Sequence, residues 1–272
     1  MSKESIKKIL PAPIWNTGSK TYWRWYNRGR HDIAKYTSPS WHANVKRLSD
    51  YENCHAGKRA FIIGNGPSLK QMNLSPLKNE ITFGTNRIYL MFPEIGFSTT
   101  HLVSVNDLVL QQCAGEMSTL DIPKWITWRA RNHFSPDKKT MFIDSDYTGS
   151  EDFNSTSLTA RIFEGFTVTY VALQLAYLMG IREVILIGVD HNFTTKGPAN
   201  SIVISNGADP NHFSGSYFGQ GFKWQLPDLD GSERAYRIAR NAYESDDRDV
   251  LDATMNGKLT IFKKVDYRSL FK

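Results

Sequence analysis

Apolar residues in this chain come in short blocks separated by polar turns, and after residue 57 the blocks alternate between strand-like and helix-like patterns. Residues 59–63 form an apolar run closed by Gly64-Asn65-Gly66-Pro67, which reads as a buried strand entering a glycine turn. Runs of strand length follow at 81–84, 101–105, 125–128 and 141–143. Residues 167–179 are apolar on nearly every side, with Gly180 placed to stop a helix, and residues 182–190 then carry the strongest strand pattern in the chain. From Ser232 onward, Ala235, Tyr236, Ile238, Ala239, Ala242 and Tyr243 form a stripe at i, i+3, i+4 spacing that ends near Ser245-Asp246-Asp247. Strand-like pieces at 250–254 and 259–262 complete the pattern. The alternation predicts an α/β domain, doubly wound around a mostly parallel sheet.

Two stretches interrupt it. Residues 194–229 are rich in Gly, Asn, Ser, Pro and aromatics without periodicity, and so long an irregular insertion is expected to be a lid over the C-terminal edge of the sheet. Residues 1–56 interleave Trp15, Trp23, Trp25, Tyr26 and Trp41 with Lys20, Arg24, Arg28, Arg30, Lys46 and Arg47. They read as an N-terminal extension to a domain at 57–272, its tryptophans packed and its arginines solvated, with peripheral contact to the inner membrane face as a second use. Stacking of single-stranded nucleic acid on these rings is the lesser reading, and no nucleic-acid partner is expected.

The glycine turn offers the most specific chemistry. Gly64 and Gly66 allow close backbone approach, Pro67 suits a first helical position, and Ser68 begins a predicted helix whose exposed N–H groups would favour phosphate. The frame of a P-loop is absent around Lys70, and the third glycine of a dinucleotide fingerprint is replaced by Leu69. In an open parallel sheet ligands sit beyond the carboxyl ends of the strands. That places Asn65, Thr85, Asn86, Asn106, Asp107, Asp190 and His191 beside the same edge. Asp144-Ser145-Asp146 and Asp228-Leu229-Asp230 each spell a D-x-D spacing that could hold a divalent cation. In the predicted lid, His212 could take a proton from a sugar hydroxyl, with His191 and Tyr217 as competitors for that role.

Composition narrows the class. With 272 residues, 40% hydrophobic and 22% charged, the chain can bury a full-sized core. No apolar run reaches the roughly 18 residues a membrane span needs, and the lysine-containing N-terminus lacks a secretory h-region, so a cytoplasmic protein is expected. Two cysteines, Cys54 and Cys113, exclude a disulfide scaffold and a cysteine zinc site. The net charge of +6 suits an anionic partner without choosing one.

The residues Phe61-Ile62-Ile63-Gly64-Asn65-Gly66-Pro67-Ser68-Leu69 resemble the first strand and nucleotide loop of bacterial sialyltransferases of the Campylobacter type. Together with Ala172-Leu173-Gln174-Leu175-Ala176-Tyr177 and Ile185-Leu186-Ile187-Gly188-Val189-Asp190, they also resemble the related domain of motility accessory factors and archaeal 6-hydroxymethylpterin diphosphokinases. The resemblance covers 57–271. It implies a Rossmann-like fold, a CMP-activated donor and no required metal; a homo-oligomer is expected as well. It further implies that Asn65 and Gly66 contact the CMP phosphate and ribose, that Asn86 and Asn106 lie beside nucleotide and donor sugar, that Thr167 lies near the phosphate, and that a lid histidine is the base. The place of that histidine falls on Ser216 in this sequence, four residues after His212.

Three functions follow from these readings. The first is a glycosyltransferase moving a nonulosonic-type sugar from a CMP donor to a glycan, lipid-linked or protein acceptor. The second is a diphosphokinase passing pyrophosphate from ATP to a hydroxymethylpterin, with Mg²⁺ held by Asp190, Asp107 or the D-x-D pairs. The third is a noncatalytic nucleotide-binding module.

Overall fold

The computed structural model describes residues 32–33, 35–135, 137–147 and 152–271. The aromatic and basic residues 15–30 of the predicted extension lie outside the described residues. Residues 46–272 form one compact unit. Helix α1 (Pro39–Ser49) leads into it, followed by β1 (Arg59–Ile63), β2 (Ile81–Thr85), β3 (His101–Ser104), α2 (Asp107–Ser118), β4 (Lys124–Thr127) and β5 (Thr140–Ile143). Next come α3 (Val168–Leu178), β6 (Glu183–Ile187), the short strands β7 (Ile202–Ile204) and β8 (Lys223–Gln225), α4 (Leu229–Ser245), β9 (Asp249–Asp252) and β10 (Lys263–Lys264).

Eight strands make one sheet in the order β10-β9-β6-β1-β2-β3-β4-β5, every pair parallel. The order reverses at β1, so the predicted doubly wound, Rossmann-like α/β architecture is what the chain forms. Strand residues alternate between two buried faces. Ala60, Ile62, Phe83, Val103 and Trp125 pack with α3 and α4, including Leu173, Ala176, Ala239 and Tyr243. Phe61, Ile63, Leu102, Ile126 and Ile187 pack with Val109, Leu110 and Cys113 of α2.

Helix ends follow their residues. Thr167 caps α3 by accepting from Thr169 N, and Gly180 beyond its end takes φ +83, where a side chain would press on the Ala56 backbone. Helix α4 starts earlier than the apolar stripe suggests, at Leu229, because Asp228 caps it by accepting from Gly231 N. The expected last strand at 259–262 lies slightly later, at Lys263–Lys264, since Leu259, Ile261 and Phe262 are spent on the core. No described helix is long and apolar enough to cross a membrane.

The insertion at 194–229 is irregular apart from an antiparallel ribbon of β7 and β8. It is anchored rather than loose. Phe213, Tyr217, Phe218 and Trp224 are buried in the α2-side core, Phe213 N donates to Asn65 O at 2.8 Å, and the Arg87 guanidinium donates to Tyr217 O.

Candidate functional site

A cavity of about 170 Å³ opens at the C-terminal edge of the sheet, where the strand order reverses. Its lining includes Gly64, Asn65 and Gly66 after β1, Thr85 at the end of β2 and Asn86 after it, Phe166 and Thr167 before α3, Asp190 and His191 after β6, and His212 and Tyr217 of the insertion. Nine of the sequence-predicted site residues thus meet in one place. Pro67, Ser68 and Asn106 do not line it. Asn106 is spent as the cap of α2, accepting from Leu108 N and Val109 N, while its amide donates to Gln225 Oε1 at 3.3 Å.

The glycine turn works differently from the expected phosphate cradle. The run Pro67–Gln71 is a five-residue 3₁₀ turn rather than an α-helix, with Pro67 exposed at its start. Its neighbouring amides already have partners: Gly64 N donates to Ile187 O and Gly66 N to Gly188 O, both at 2.8 Å. Ser68 N and Oγ donate to the two Asp190 carboxylate oxygens at 3.1 and 2.7 Å. The glycines serve strand packing. A Cβ on Gly64 would overlap Gly188 O, and one on Gly66 would overlap Asp190 Oδ2. The protein's own carboxylate therefore holds the position the sequence assigned to a ligand anion. Burial pushes the Asp190 carboxyl upward against the pull of the Ser68 hydrogen bonds.

Asn65 is buried and its orientation is fixed by its partners. Its amide donates to Thr85 O at 3.0 Å and Thr85 Oγ1 at 2.8 Å, while the Thr85 hydroxyl donates to Ile63 O. Both amide hydrogens are used, so Asn65 Oδ1 remains a buried acceptor without a partner. A group that meets it must be a hydrogen-bond donor, such as a hydroxyl or an amine, and not a phosphate oxygen. Asn86, at φ +48, is complementary: its Oδ1 accepts from Ser104 Oγ at 3.0 Å, which leaves its amide hydrogens as the group to offer.

The two cavity histidines differ in their support. His191 Nε2 lies 3.1 Å from Glu233 Oε1, on α4. His212 Nδ1 lies 2.7 Å from Asp209 Oδ2, a carboxylate also fixed by Asn211 N at 2.8 Å and Phe218 N at 3.2 Å. The Asp209 contact sets Nδ1 as the protonated nitrogen and leaves Nε2 as a free acceptor, the arrangement of a general base and its orienting carboxylate. Tyr217 stacks on the His212 ring at 4.0 Å and 10°. Burial pushes the Tyr217 phenol far above its ordinary range and its oxygen accepts from Arg87 N at 3.3 Å, so Tyr217 holds the imidazole and is not itself a base.

Sequence reasoning missed several of these residues. Asp209 had a readable signal, a carboxylate three positions before His212. Phe166 had none. Phe166 and His191 are the described positive-φ residues, glycines aside, that are neither Asn nor Asp, and both line the cavity. Such backbone costs about 1–3 kcal/mol per residue and is typically kept at functional positions. Gly231 makes room for Phe166, because a Cβ there would press on the phenyl ring at 2.7 Å.

The carboxylates that a magnesium site would need are dispersed. Asp107 pairs with Arg129 at 3.3 Å, Asp144 with Arg161 at 3.2 Å, Asp228 caps α4 and Asp190 holds Ser68. Among the described residues no three His, Cys, Asp or Glu side chains gather to hold a metal. Asp190 is the carboxylate in the cavity lining, and Ser68 engages both of its oxygens.

Residues 36–196 match the family described as 6-hydroxymethylpterin diphosphokinase MptE-like. The chain belongs to this family. The matched span holds the glycine turn, Asn86, Asp190 and His191, whereas the Asp209–His212 pair lies beyond it. No curated protein matches the sequence. Among solved structures, this MptE-like chain is similar to the MAf glycosyltransferase from Magnetospirillum magneticum AMB-1, with a TM-score of 0.52 and 14% identity over 83% of this chain. It spans 38% of that protein's length. A mammalian sialyltransferase in complex with Gal-beta-1-3GalNAc-ortho-nitrophenol aligns over 88% of this chain and 86% of its own, at 12% identity and a TM-score of 0.37. The first of these likenesses supports the shared fold.

Proposed function

We propose that this MptE-like protein is a glycosyltransferase that moves a sugar, of the nonulosonic type, from a CMP-activated donor to a hydroxyl-bearing acceptor. The observation that carries the reading is His212 at the cavity wall, its Nδ1 2.7 Å from the Asp209 carboxylate, with Nε2 left to accept a proton. In the reaction His212 Nε2 takes the proton of the acceptor hydroxyl while that oxygen bonds to the anomeric carbon. The bond from that carbon to the phosphate oxygen breaks, and CMP leaves with the electron pair. Asp209 fixes the imidazole and stabilises the imidazolium. Asn65 Oδ1 accepts from a ribose or sugar hydroxyl, Asn86 donates to the ligand, and the anchored insertion keeps water from the reacting carbon.

The family's description supports a second reading, pyrophosphate transfer to a hydroxymethylpterin. It would have to recruit Asp190 away from Ser68. Thermal-shift titration with CMP, CTP and ATP, each with Mg²⁺ or EDTA, separates the two. Metal-independent stabilisation by CMP is expected, together with loss of CMP release from a CMP-sugar in His212→Ala at near-normal CMP affinity. Stabilisation by ATP with Mg²⁺ alone would overturn the first reading, and no response to any nucleotide would overturn both.

A further inference from the structure

The outer face of the β7–β8 ribbon has a composition that the cavity does not explain. In an antiparallel pair, directly opposed residues point to the same face. Lys223 opposes Ile204 and Gln225 opposes Ile202, while Trp224 opposes Val203. Trp224 is buried, so the Val203–Trp224 face turns inward. Ile202, Ile204, Lys223 and Gln225 then share the outer face, where Ile202 is 62% and Ile204 53% exposed. These are two of the four large hydrophobics exposed among the described residues, and they stand two positions apart on one strand.

The strand that carries the two isoleucines lies in a basic stretch of chain. From His191 to Ala208 the chain contains no aspartate or glutamate and a single charged residue, the exposed Lys196. Lys223 adds a second cation on the ribbon itself. The ribbon is also held firmly: Gln112 of α2 donates to Lys223 O at 2.7 Å and accepts from Lys223 N at 3.0 Å. A rigid face of two isoleucines, a glutamine and Lys223, with the exposed Lys196 in the same insertion, matches a surface that is anionic outside and apolar beneath.

We infer that the outer face of the β7–β8 ribbon docks on an anionic lipid surface, with Ile202 and Ile204 entering the headgroup boundary and Lys196 and Lys223 meeting lipid phosphates. The same insertion supplies Asn211, His212 and Tyr217 to the cavity, so docking brings the cavity mouth beside the bilayer. The inference stands whether or not a sugar is transferred.

The test is sedimentation of the full chain with extruded vesicles of phosphatidylcholine alone and of phosphatidylcholine with phosphatidylglycerol. The wild type is expected to favour the anionic vesicles by about tenfold or more, and Ile202→Ser/Ile204→Ser and Lys223→Glu are each expected to lower that partition by about five- to tenfold. All three substituted positions are exposed, and circular dichroism checks that the variants keep the fold. Equal binding to both vesicle types overturns the proposal. Variants that sediment like wild type also overturn it, placing adhesion elsewhere in the chain. A dimer that Ile202→Ser/Ile204→Ser converts to monomer without lipid overturns it as well, assigning the face to a second copy.

Discussion

Gly66→Ala tests what the glycine turn is for. Gly66 has φ −69 and ψ 157, a conformation open to any residue, so the substitution carries no backbone penalty of its own. Its cost is steric: the new methyl overlaps Asp190 Oδ2 and lies 2.9 Å from Gly188 O. Moving the carboxylate aside breaks two hydrogen bonds from Ser68, and bonds to charged groups contribute about 1.5–3 kcal/mol each. A loss of about 3–5 kcal/mol is expected, or about 6–20 °C in Tm for a domain of this size. In an Asp190→Ala background the carboxylate is gone and only the Gly188 O contact remains, so the same methyl should cost about 1–3 kcal/mol. The double-mutant cycle read by urea and thermal unfolding should therefore give a coupling of about 2–3 kcal/mol. A coupling below about 0.5 kcal/mol, within ordinary additivity error, would refute the claim that Asp190 is the reason for the glycine. So would a Gly66→Ala protein that unfolds like wild type but no longer responds to CMP, since the methyl would then be blocking a ligand.

Two further outcomes follow from the buried contacts. In Asp209→Asn either amide placement sets an N–H against Phe218 N or Asn211 N and lets His212 take the other tautomer, so CMP release from a CMP-sugar should fall about 10²–10⁴-fold with CMP affinity within about threefold; equal losses in both would reduce Asp209 to a structural role. His101 accepts from Trp125 Nε1 and so donates from its other nitrogen to His55 Nε2 at 3.0 Å, and burial, reinforced by the neighbouring His55, pulls its pKa down to about 3. The folded protein thus binds fewer protons than the unfolded chain below about pH 6.5, where an unperturbed imidazole titrates, so this contribution to stability is full above that pH and is lost by about 1.4 kcal/mol per unit as pH falls towards 3. An NMR titration should find the His101 imidazole neutral at pH 5, and a midpoint near 6.5 would refute the buried relay.

The sheet was legible in the sequence because its strands are buried on both faces and leave uninterrupted apolar runs, as at 59–63 and 183–187, while α3 is stopped by a glycine that must take a positive φ. Strand ends then placed Asn65, Asn86, Asp190 and His191 at one edge, and the structure gathers all four in one cavity. What each group does there was not legible, because it depends on partners distant in sequence. Nothing near Gly64 or Gly66 reveals that Gly188 O and Asp190, more than a hundred positions later, fill the space the glycines leave. Asn106 and Asn65 look alike as residues after strands, yet one has its acceptor consumed by a helix start three positions away and the other keeps its acceptor because Thr85 takes both of its hydrogens. How the insertion is held was not legible for a related reason: its sequence has no periodicity to follow, and the burial of Phe213, Tyr217, Phe218 and Trp224 with the core on the α2 side is what anchors it. A polar residue at a strand end is thus evidence about where chemistry can occur, while the hydrogen-bonding capacity left over after the fold has taken its share decides which chemistry. By that measure the unspent groups of this cavity include Asn65 Oδ1, the Asn86 amide and His212 Nε2, neutral groups that suit the hydroxyls of a ligand.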